Sequence, residues 1–577
     1  MDFMIQNFIS KTKQMAFSVQ KKMEKCVTVM SVASVLVVAM IMCAAIGVIP
    51  LSRSGEGNVA AQELEGAIEI ENVCRPTLYP EACRVSLSAY LTSSTNGLTV
   101  HDKKQMLPIA VMVAKKEANR AFVLASAFFK QTHNRIAVGD CVELIDITKD
   151  QLGSSLYLLR QSEMKAEQLR EAKALLSAAI TNMETCHDGV LEKSDGKSEA
   201  GLLRSVERVK IFASNCLAIL VNSESSRVDK LALPSEPIEE GFPWWVSAAD
   251  RRILRTSPKD VNADVVVAAD GSGQFKTITE AINAAPDNSN KRYVVKVKNG
   301  TYEEYVVVGT KKTNILIIGE GMNGTIVTGS KNVIDGSTTF NSATFAVVGK
   351  GFMAQDIAFV NTAGSVKQQA VALRVGSDQS VFYRCKIQAY QDTLYTLSLR
   401  QFYRECLISG TVDFIFGNSA VVFQSCTMLA RKPGPSQQNA VTAQGRTDPN
   451  QNTGISIQNC TITADSDLVP VKSSFPTYLG RPWKEYSRTV YMQSYLGDVI
   501  NSAGWLAWSA DFALSTLYYG EYMNIGPGAG TQNRVNWGGF HVINSSQEAI
   551  NFTVGQFIQG NSWLPSTGVA YMDGLKG

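Results

Sequence analysis

A repeated apolar unit in the second half of the chain constrains its fold more than any other feature of the sequence. The unit alternates apolar and polar residues and recurs as Val381–Ile387, Gln401–Ile408, Val422–Met428 and Ile457–Ile462, with an earlier relative at Phe352–Ile357. A period in the twenties, built from short units that cannot bury their own apolar face, is the signature of a solenoid. Because each unit alternates as a strand does, the sequence predicts a parallel β-helix rather than a helical array.

Polar residues recur within this repeat at even spacing. Gln369, Gln391 and Asp413 stand 22 residues apart, and a second acid, Asp392, follows Gln391 directly. Residues one coil apart lie on neighbouring strands about 4.8 Å apart, so we expect a polar ladder across three successive coils. Gln391 and Asp392 would face opposite sides of a regular strand, and both can serve one cleft only at a strand end or bulge.

Five short motifs give this region a family resemblance. In chain order they are Asn299-Gly-Thr-Tyr-Glu-Glu304, Gln369-Ala-Val, Gln391-Asp-Thr-Leu, Asp413-Phe-Ile-Phe-Gly and Leu479-Gly-Arg-Pro-Trp483. Together they resemble the motif set of the plant pectin methylesterases. The resemblance implies a catalytic domain at residues 261–577 that hydrolyses the methyl esters of homogalacturonan to pectate and methanol, without cofactor or metal.

The resemblance also implies a role for each polar residue of the motifs. Asp413 would be the nucleophile, Asp392 the general acid/base, and Gln369 and Gln391 the oxyanion hole, while Arg481 would hydrogen-bond Asp413. The assignment is physically consistent, because an arginine favours the ionised form of one acid, whose charge then raises the proton affinity of the other. Two carboxylates with amide donors suffice for ester hydrolysis.

Substrate contacts are expected from Gln369, Arg481, Trp483, Tyr395, Phe416 and Thr301. The three aromatic residues would offer apolar faces to the sugar rings. Taken without the resemblance, aromatic side chains at these positions could equally fill the core or stack between coils.

Other function classes are less consistent with the sequence. A pectin lyase would need a calcium-binding acidic cluster with a basic residue, and a glycosidase would need neighbouring acids; the ladder contains neither. A Ser–His–Asp hydrolase is disfavoured, since His541 is the one histidine in the repeat region. A non-catalytic wall-binding solenoid stays open. The net charge of +3 argues against a nucleic-acid partner.

The chain begins with a basic segment, residues 1–25, followed by an uncharged run at 26–49. A run of this length can span a bilayer and exceeds the core of a usual signal peptide. It therefore predicts a signal anchor, with the basic flank cytoplasmic and a type II membrane-anchored precursor in the Golgi. A cleavable signal ending near Ala44 is the alternative. The mature enzyme would be secreted to the extracellular cell wall.

Residues 65–222 have the pattern of helices. Amphipathic stripes run through Cys141–Leu159 and Leu202–Leu220 with the spacing i, i+3, i+4, i+7. With Lys103–Lys130 and Met164–Cys186 this makes four helices, the number in a four-helix bundle. The expected fold class is therefore mainly β, a right-handed parallel β-helix preceded by an all-α four-helix bundle.

The helical segment carries a resemblance of its own. Cys74-Arg-Pro-Thr-Leu-Tyr-Pro-Glu-Ala-Cys83, Asp140-Cys141 and Glu184-Thr-Cys186 resemble the pectin methylesterase inhibitor family, which also includes invertase inhibitors. The resemblance implies a Cys74–Cys83 clasp on an N-terminal hairpin, a Cys141–Cys186 bridge between two helices, and a free thiol at Cys216. Five cysteines fix no connectivity from the sequence alone.

Four cysteines occupy the same place in their repeats: Cys385, Cys406, Cys426 and Cys460. They could form a buried ladder of small side chains. A disulfide between Cys426 and Cys460 is nevertheless the preferred prediction, because cysteines tend to pair in an oxidising compartment. The pairing of Cys385 and Cys406 stays open.

The segment 223–260 predicts a proline-rich linker. It contains a dibasic site formed by Arg251, Arg252, Ile253 and Leu254. By resemblance to precursors of the esterase family, a subtilisin-like protease would cut there; a charged surface pair is the alternative. The helical domain would then be a pro-region, either autoinhibitory or used in folding or targeting. The mature enzyme is expected to be a monomer and a target of proteinaceous pectin methylesterase inhibitors.

Glycosylation is predicted at Asn299, Asn323, Asn544 and Asn551, which lie in Asn-X-Ser/Thr triplets. A fifth triplet, at Asn459, lies inside a repeat strand, where modification is not expected.

Overall fold

The computed structural model describes residues 66–93, 103–161, 165–225, 238–239, 242–243 and 262–576. The predicted basic segment and signal anchor, residues 1–49, and the dibasic site at 251–254 lie outside these ranges. Within them, no helix has the length and apolarity needed to cross a membrane.

Five helices make up the N-terminal part: α1 (Pro80–Ser93), α2 (Lys103–Phe129), α3 (Arg135–Leu159), α4 (Ala166–Lys193) and α5 (Ala200–Ser225). A further helical stretch at 66–74 precedes α1. The four long helices α2–α5 are those that the apolar stripes predict, and they pack on one another as a bundle. Their apolar stripes form its core, in which Leu144, Ile145 and Leu152 are fully buried. The stretch 66–74 and α1 add an N-terminal hairpin beside it.

Two disulfides fasten the bundle, and both are the pairings that the inhibitor resemblance implies. Cys74–Cys83 joins the stretch 66–74 to α1, and Cys141–Cys186 joins α3 to α4. Cys216, on α5, is a free buried thiol, as expected.

A parallel β-helix of three sheets forms the second part, as the repeat predicts. The first sheet has the order β28-β27-β25-β22-β19-β16-β13-β10-β7-β4-β3. Its strands are β3 (Val265–Val267), β4 (Tyr293–Val297), β7 (Ile315–Ile318), β10 (Met353–Gln355), β13 (Ser380–Tyr383), β16 (Arg400–Arg404), β19 (Ala420–Gln424), β22 (Gly454–Gln458), β25 (Arg488–Met492), β27 (Tyr518–Tyr522) and β28 (Phe540–Val542).

The second sheet has the order β26-β23-β20-β17-β14-β11-β8-β5. Its strands are β5 (Gly300–Glu303), β8 (Thr325–Gly329), β11 (Ala358–Asn361), β14 (Lys386–Gln388), β17 (Leu407–Gly410), β20 (Thr427–Ala430), β23 (Thr461–Ala464) and β26 (Tyr495–Leu496). The third sheet, β24-β21-β18-β15-β12-β9-β6, consists of β6 (Val306–Val308), β9 (Phe345–Val347), β12 (Leu373–Val375), β15 (Leu394–Thr396), β18 (Ile415–Gly417), β21 (Asn439–Gln444) and β24 (Thr477–Pro482).

The core of the solenoid is a column of aromatic and aliphatic side chains that stack from coil to coil. Phe382, Tyr403 and Phe423 lie on successive coils with ring centroids 4.8 and 4.7 Å apart. These rings are fully buried among residues that all belong to the solenoid. The solenoid therefore closes its own core without help from the bundle.

A short helix, α6 (Ile278–Ala284), covers the N-terminal coil and so caps the solenoid. Thr277 and Glu280 form a capping box at its start, and the Glu304 carboxylate accepts hydrogen bonds from the backbone N–H groups of Ile278 and Thr279. At the C-terminus, α7 (Ser546–Ala549) and α8 (Val554–Phe557) pack against the outer face of the first sheet.

The preferred disulfide of the solenoid is wrong: Cys426 and Cys460 are free buried thiols, like Cys385 and Cys406. The backbone N–H of Cys426 instead donates to Cys460 Sγ at 3.3 Å, and that of Cys406 to Cys426 Sγ at 3.4 Å. Each thiol thus lies under the backbone of the neighbouring coil. The four form the buried ladder that was the alternative reading.

The few described residues of the linker include a short element where no regular structure was expected. β1 (Ile238–Glu239) and β2 (Phe242–Pro243) pair as a two-residue antiparallel ladder.

The four asparagines predicted to be glycosylated are exposed, whereas Asn459 is partly buried and donates to Ser425 Oγ. Their modification stays a prediction.

Candidate active site

The third sheet presents a row of side chains, one from each coil, on its outer face. Strand pairing brings these residues into register: Ala346, Arg374, Tyr395, Phe416, Ala443 and Arg481. The last four residues of this row, from Tyr395 to Arg481, form the floor of a cleft. Gln369, Gln391, Asp392, Asp413 and Trp483 line the same cavity, which has a volume of about 580 Å³. The structure therefore brings the two acids, both glutamines and Arg481 together at one site.

The two acids lie in the turns that precede β15 and β18. Asp392 has φ of +62° and Asp413 has φ of +52°, a left-handed conformation that is unusual for residues other than glycine. Because neither Gln391 nor Asp392 is inside a strand, both side chains can reach one cleft. These two adjacent residues were expected to lie at a strand end or bulge if both serve one cleft, and they do lie at a strand end.

The expected ladder of Gln369, Gln391 and Asp413 needs a correction. Strands β12, β15 and β18 align at a period of 21 residues, whereas these three polar residues are 22 apart. Gln391 and Asp413 therefore each lie one position nearer to the following strand than the corresponding residue of the preceding coil. The pair that is truly in register is Asp392 and Asp413, each two residues before its strand.

Arg481 holds one of the two acids in a fixed position. Its Nε donates to Asp413 Oδ1 at 2.7 Å and its Nη2 donates to Asp413 Oδ2 at 2.7 Å, a bidentate pair. The guanidinium also lies 4.3 Å from the ring centroid of Trp508. These contacts fix the orientation of the Asp413 carboxylate and place a positive charge next to it.

The pKa shifts of Asp392 and Asp413 differ because Arg481 forms hydrogen bonds with Asp413. Burial raises the pKa of Asp392 well above its ordinary value, and the charge of Asp413 raises it further. Burial also raises the pKa of Asp413, but the charge and hydrogen bonds of Arg481 oppose that shift. The pKa of Asp392 is therefore raised further than that of Asp413.

The aromatic residues form a continuous surface beside the acids. Tyr395 and Phe416 stack at a centroid distance of 4.2 Å, and Trp483 meets both edge-on at 6.4 and 5.9 Å. All three face the cleft. In the full chain Tyr395 and Phe416 are almost fully buried, because the bundle covers them.

The expected contact from Thr301 is wrong. Thr301 is an exposed residue of β5, at the first strand of the second sheet, and it does not line the cleft of the third sheet. The solenoid instead contributes Thr339 and its neighbour Phe340 to the lining of the cleft. Sequence reasoning also missed Lys484 and Trp508, which line the cavity close to the recognised Arg481 motif.

The bundle closes the cleft from above, mainly through α4. The Tyr395 hydroxyl lies 3.3 Å from Thr185 Oγ1, and the Thr339 backbone N–H and hydroxyl donate to the Glu192 carboxylate. Lys484 Nζ donates to Glu184 Oε1 at 2.7 Å. The cavity around the acids is thus lined by both the solenoid and the bundle.

A second set of contacts holds the bundle at the sides of the cleft. Asp140, on α3, accepts hydrogen bonds from Thr338 Oγ1 and from Asn341 Nδ2. Burial there raises the pKa of Asp140 to about 6. On the opposite side, Asn418 Nδ2 donates to Thr181 Oγ1 at 2.9 Å.

Comparison with known proteins agrees with both halves of this architecture. Residues 264–561 match the family model described as pectinesterase, and residues 69–219 match that of the plant invertase/pectin methylesterase inhibitor. A pectinesterase/pectinesterase inhibitor of Ficus pumila var. awkeotsang is 49% identical over 87% of this chain and 91% of its own.

Two further proteins match different lengths of this chain. A pectinesterase/pectinesterase inhibitor of Solanum lycopersicum is 46% identical over 99% of this chain and 100% of its own. The solved structure of pectin methylesterase from carrot is 64% identical, has a TM-score of 0.54, and covers 55% of this chain and 99% of that one. A solenoid of this kind thus exists as a folded chain without a bundle.

The repeat, the cleft and the comparisons agree on one conclusion. The chain belongs to the pectinesterase family of carboxylic ester hydrolases, and it carries a domain of the plant invertase/pectin methylesterase inhibitor family before its catalytic β-helix.

Proposed function

We propose that Asp413 and Asp392 catalyse the hydrolysis of the methyl esters of homogalacturonan, with Asp413 as nucleophile and Asp392 as general acid/base. The observation that carries the proposal is the bidentate contact of Arg481 with Asp413, beside a buried second acid. An ionised carboxylate and a protonated one at the same cleft are the two states that this chemistry requires.

In the first half of the reaction, an oxygen of Asp413 attacks the ester carbonyl carbon and the carbon–oxygen bond to the methoxy group breaks. Asp392 gives its proton to the departing oxygen, so methanol leaves. The side-chain amides of Gln369 and Gln391 donate hydrogen bonds to the oxyanion that forms on the carbonyl oxygen.

In the second half, water replaces methanol beside the acyl-enzyme. Asp392, now ionised, takes a proton from this water as its oxygen attacks the carbonyl carbon. The bond to Asp413 breaks, which frees the galacturonate carboxylate and restores both acids. Tyr395, Phe416 and Trp483 give the sugar rings apolar faces during both steps.

The bundle is proposed to hold the enzyme inactive until it is removed. It covers the aromatic surface and seats Glu192 and Asp188 at the cavity that contains the acids. Cleavage between Arg251 and Leu254 by a subtilisin-like protease would release a secreted, monomeric cell-wall enzyme. Separate inhibitor proteins of the same family could then occupy the vacated cleft.

Product analysis tests the proposed reaction. The isolated solenoid, residues 255–577, is incubated with methylated pectin, and three products are followed: methanol, new reducing ends, and unsaturated sugars that absorb ultraviolet light. We expect methanol alone. New reducing ends would indicate a glycosidase, unsaturated products a lyase, and no product at all a binding protein.

A further inference from the structure

Arg431 lies just after β20 and reaches back across two coils of the solenoid. Its backbone N–H donates to the carbonyl oxygen of Gly410 at 2.7 Å, in the coil before its own. Its side chain extends one coil further, where Nη1 donates to the Ala389 carbonyl oxygen at 2.8 Å and Nη2 donates to the Tyr390 hydroxyl at 2.8 Å. One residue thus joins three successive coils at the corner between the second and third sheets.

The same corner carries both acids of the cleft. The chain runs from Tyr390 directly into Gln391 and Asp392, and Gly410 is followed by the turn that contains Asp413. The contacts that Arg431 makes with the two preceding coils therefore fall on the residues that lead into the two turns of the active site.

The turn that carries Asp392 has to be held by its surroundings. Its φ of +62° is a conformation that persists only where neighbouring groups over-determine the backbone. The adjacent coils supply backbone hydrogen bonds, because the N–H of Ala370 donates to the Gln391 carbonyl oxygen and the N–H of Asp392 donates to that of Val412. Arg431 adds side-chain hydrogen bonds to the two residues that precede this turn.

Within the described part of the chain, no carboxylate lies at hydrogen-bond distance from the Arg431 guanidinium. Its Nε lies 3.7 Å from Asp467 Oδ2 and has no hydrogen-bond partner, although the side chain is only 14% exposed. The guanidinium instead lies over the ring of Tyr390, 3.9 Å from the ring centroid. A largely buried cation that bonds to neutral acceptors is a poor source of stability, whereas its planar fork fixes two acceptors relative to each other. The arrangement therefore favours a role in positioning.

Arg431 and Tyr390 do not line the cavity that contains the acids, whereas Gln391 and Asp392 do. The aromatic surface proposed to bind the sugar rings lies outside this turn, on β15, on β18 and beyond β24. A displacement of the turn would therefore move the proton donor and one amide donor and leave the aromatic surface in place. Such a displacement affects the chemical step more than the binding of the polymer.

We propose that Arg431 is a positioning residue for the ester hydrolysis, which holds the turn of Gln391 and Asp392 in place. It acts through Ala389 and Tyr390 and does not touch the substrate. A misplacement of about 1 Å between reacting groups can cost about a hundredfold in rate. The inference rests on the proposed function, because it concerns the same reaction.

The separation of kcat from KM tests the inference. Arg431→Met removes both donors and keeps an apolar stem, and it is assayed in residues 255–577, whose core the solenoid closes on its own. We expect kcat for methanol release from methylated pectin to fall about a hundredfold, while KM changes by less than about threefold. Arg431→Lys can make one of the two hydrogen bonds and should recover part of the loss.

Arg404, on β16, provides a matched control. Its side chain is 17% exposed, and its Nη1 donates to Gln424 Oε1 of the next coil at 2.9 Å. These contacts belong to the first sheet and lie outside the cavity. Arg404→Met should therefore leave kcat unchanged, whatever it costs in stability.

A double-mutant cycle tests whether Arg431 acts through Tyr390. Tyr390→Phe removes one acceptor of the guanidinium without a change of ring size, and it should lower kcat by less than Arg431→Met does. In the Arg431→Met background it should have no further effect, because the same hydrogen bond is already lost.

The outcomes separate the inference from the proposed function. A kcat of Arg431→Met within about threefold of the wild type, or an equal fall in Arg404→Met, would overturn the inference while methanol is still released. Additive effects of the Arg431 and Tyr390 variants would overturn it as well. A wild type that releases no methanol would instead overturn the proposed function. If Arg431→Met unfolds, as circular dichroism would show, Tyr390→Phe decides the question alone, and an unchanged kcat in that variant would overturn the inference.

Discussion

Arg481 makes two neighbouring carboxylic acids unequal. Asp392 and Asp413 lie in register on successive coils and are both buried, so the coil geometry alone treats them alike. The bidentate contact of Arg481 goes to Asp413 and not to Asp392. A single side chain therefore keeps the pKa of Asp413 below that of Asp392, whose pKa is raised by burial and by the charge of Asp413.

Removal of the charge from the proposed nucleophile should abolish the reaction. Asp413→Asn keeps the size of the side chain and an oxygen that can accept from Arg481, but it cannot form the acyl-enzyme. We expect methanol release to fall by several orders of magnitude while the thermal unfolding temperature stays close to that of the wild type. Activity within about tenfold of the wild type would place the nucleophile elsewhere.

Removal of the arginine should shift the pH dependence. Without the cation, the pKa of Asp413 rises, so the nucleophile is ionised over a narrower range at acidic pH. In Arg481→Gln we expect the acid limb of kcat/KM to move upward by about one to three pH units. Arg481→Lys, which keeps the charge, should move it less. An unchanged acid limb in the glutamine variant would contradict the proposed state of Asp413.

At the residue scale, the sequence located the site residues that lie within or next to the repeat strands. The acids and both glutamines precede repeat strands at a nearly regular spacing, which located them, whereas Arg481 lies inside β24 and was located by its motif. Thr339 lies in an irregular segment before β9 that has no repeat pattern, and only the stacking of coils brings it to the cleft. The sequence offered Thr301 because a motif surrounds it, although its strand belongs to another sheet.

The elements show which part of a solenoid a sequence can determine. Its strands repeat an apolar alternation and were therefore predictable. The lengths of the coils were not, because the turns between strands carry no apolar pattern. The period is 21 residues from β12 to β18, and 27 residues from β18 to β21. An assumed period of 22 therefore misaligned the glutamines.

The disulfide between Cys426 and Cys460 was predicted wrongly for a similar reason, because the repeat pattern does not define contacts between coils. A repeat shows that cysteines occupy equivalent places, but not whether neighbouring sulfurs bond to each other or lie beneath the next backbone. In the bundle, by contrast, the family resemblance supplied the pairing of Cys74 with Cys83 and of Cys141 with Cys186. The residue pattern left that pairing open.

A buried ion pair between two coils offers a test of how the elements hold together. Arg400 Nη2 lies 2.7 Å from Asp378 Oδ2, and the two side chains are 2% and 6% exposed. Arg400→Met leaves a buried carboxylate without its cation, so we expect a loss of roughly 3–5 kcal/mol in the free energy of unfolding. Chemical denaturation of residues 255–577 measures it.

The exposed pair Lys367–Asp335 provides the matched control for this variant. Lys367→Met should leave the free energy of unfolding close to that of the wild type, because water solvates both charges. The double variant Arg400→Met/Asp378→Leu should recover much of the loss. A single variant as stable as the wild type would show that the pair is dispensable between these coils.

On the scale of the whole molecule, the linker makes the contact between bundle and solenoid intramolecular. A tether of this kind gives an effective concentration in the millimolar range, so even a weak complex is almost fully closed. We expect Arg251→Ala/Arg252→Ala full-length protein to release methanol at least about a hundredfold more slowly than residues 255–577. Equal rates would mean that the bundle has a folding or targeting role instead.

A mixing experiment separates inhibition from a defect in the uncut protein. Purified residues 60–250 are titrated into residues 255–577, and methanol release is followed. Inhibition should saturate, and Thr185→Trp, which crowds the contact with the Tyr395 hydroxyl, should weaken it. Full activity at a large excess of bundle would leave the autoinhibition proposal without support.

The complex should tighten as the pH falls, because of Asp140. Burial against the solenoid raises its pKa from 3.8 to about 6, with Arg374 and Glu143 as its charged neighbours. A raised carboxyl pKa favours the protonated form in the complex, so this stabilisation is complete below about pH 4 and is lost as the pH rises through 6. We expect the dissociation constant to increase by up to about tenfold per pH unit between these values.

Other acids of the contact do not reverse this sign within the window. Burial and the charge of Asp413, and to a smaller extent Glu192 of the bundle, raise the pKa of Asp392, which acts in the same direction. The pKa of Glu184 is lowered from 4.5 to about 2, which opposes the effect only below about pH 4.5. Asp140→Asn keeps a neutral side chain at all pH values and should flatten the slope measured by the mixing titration. Glu171→Gln, at the exposed rim of the same contact, is the matched control. A slope that is equally steep in Asp140→Asn would assign the pH dependence to the catalytic acids rather than to the bundle.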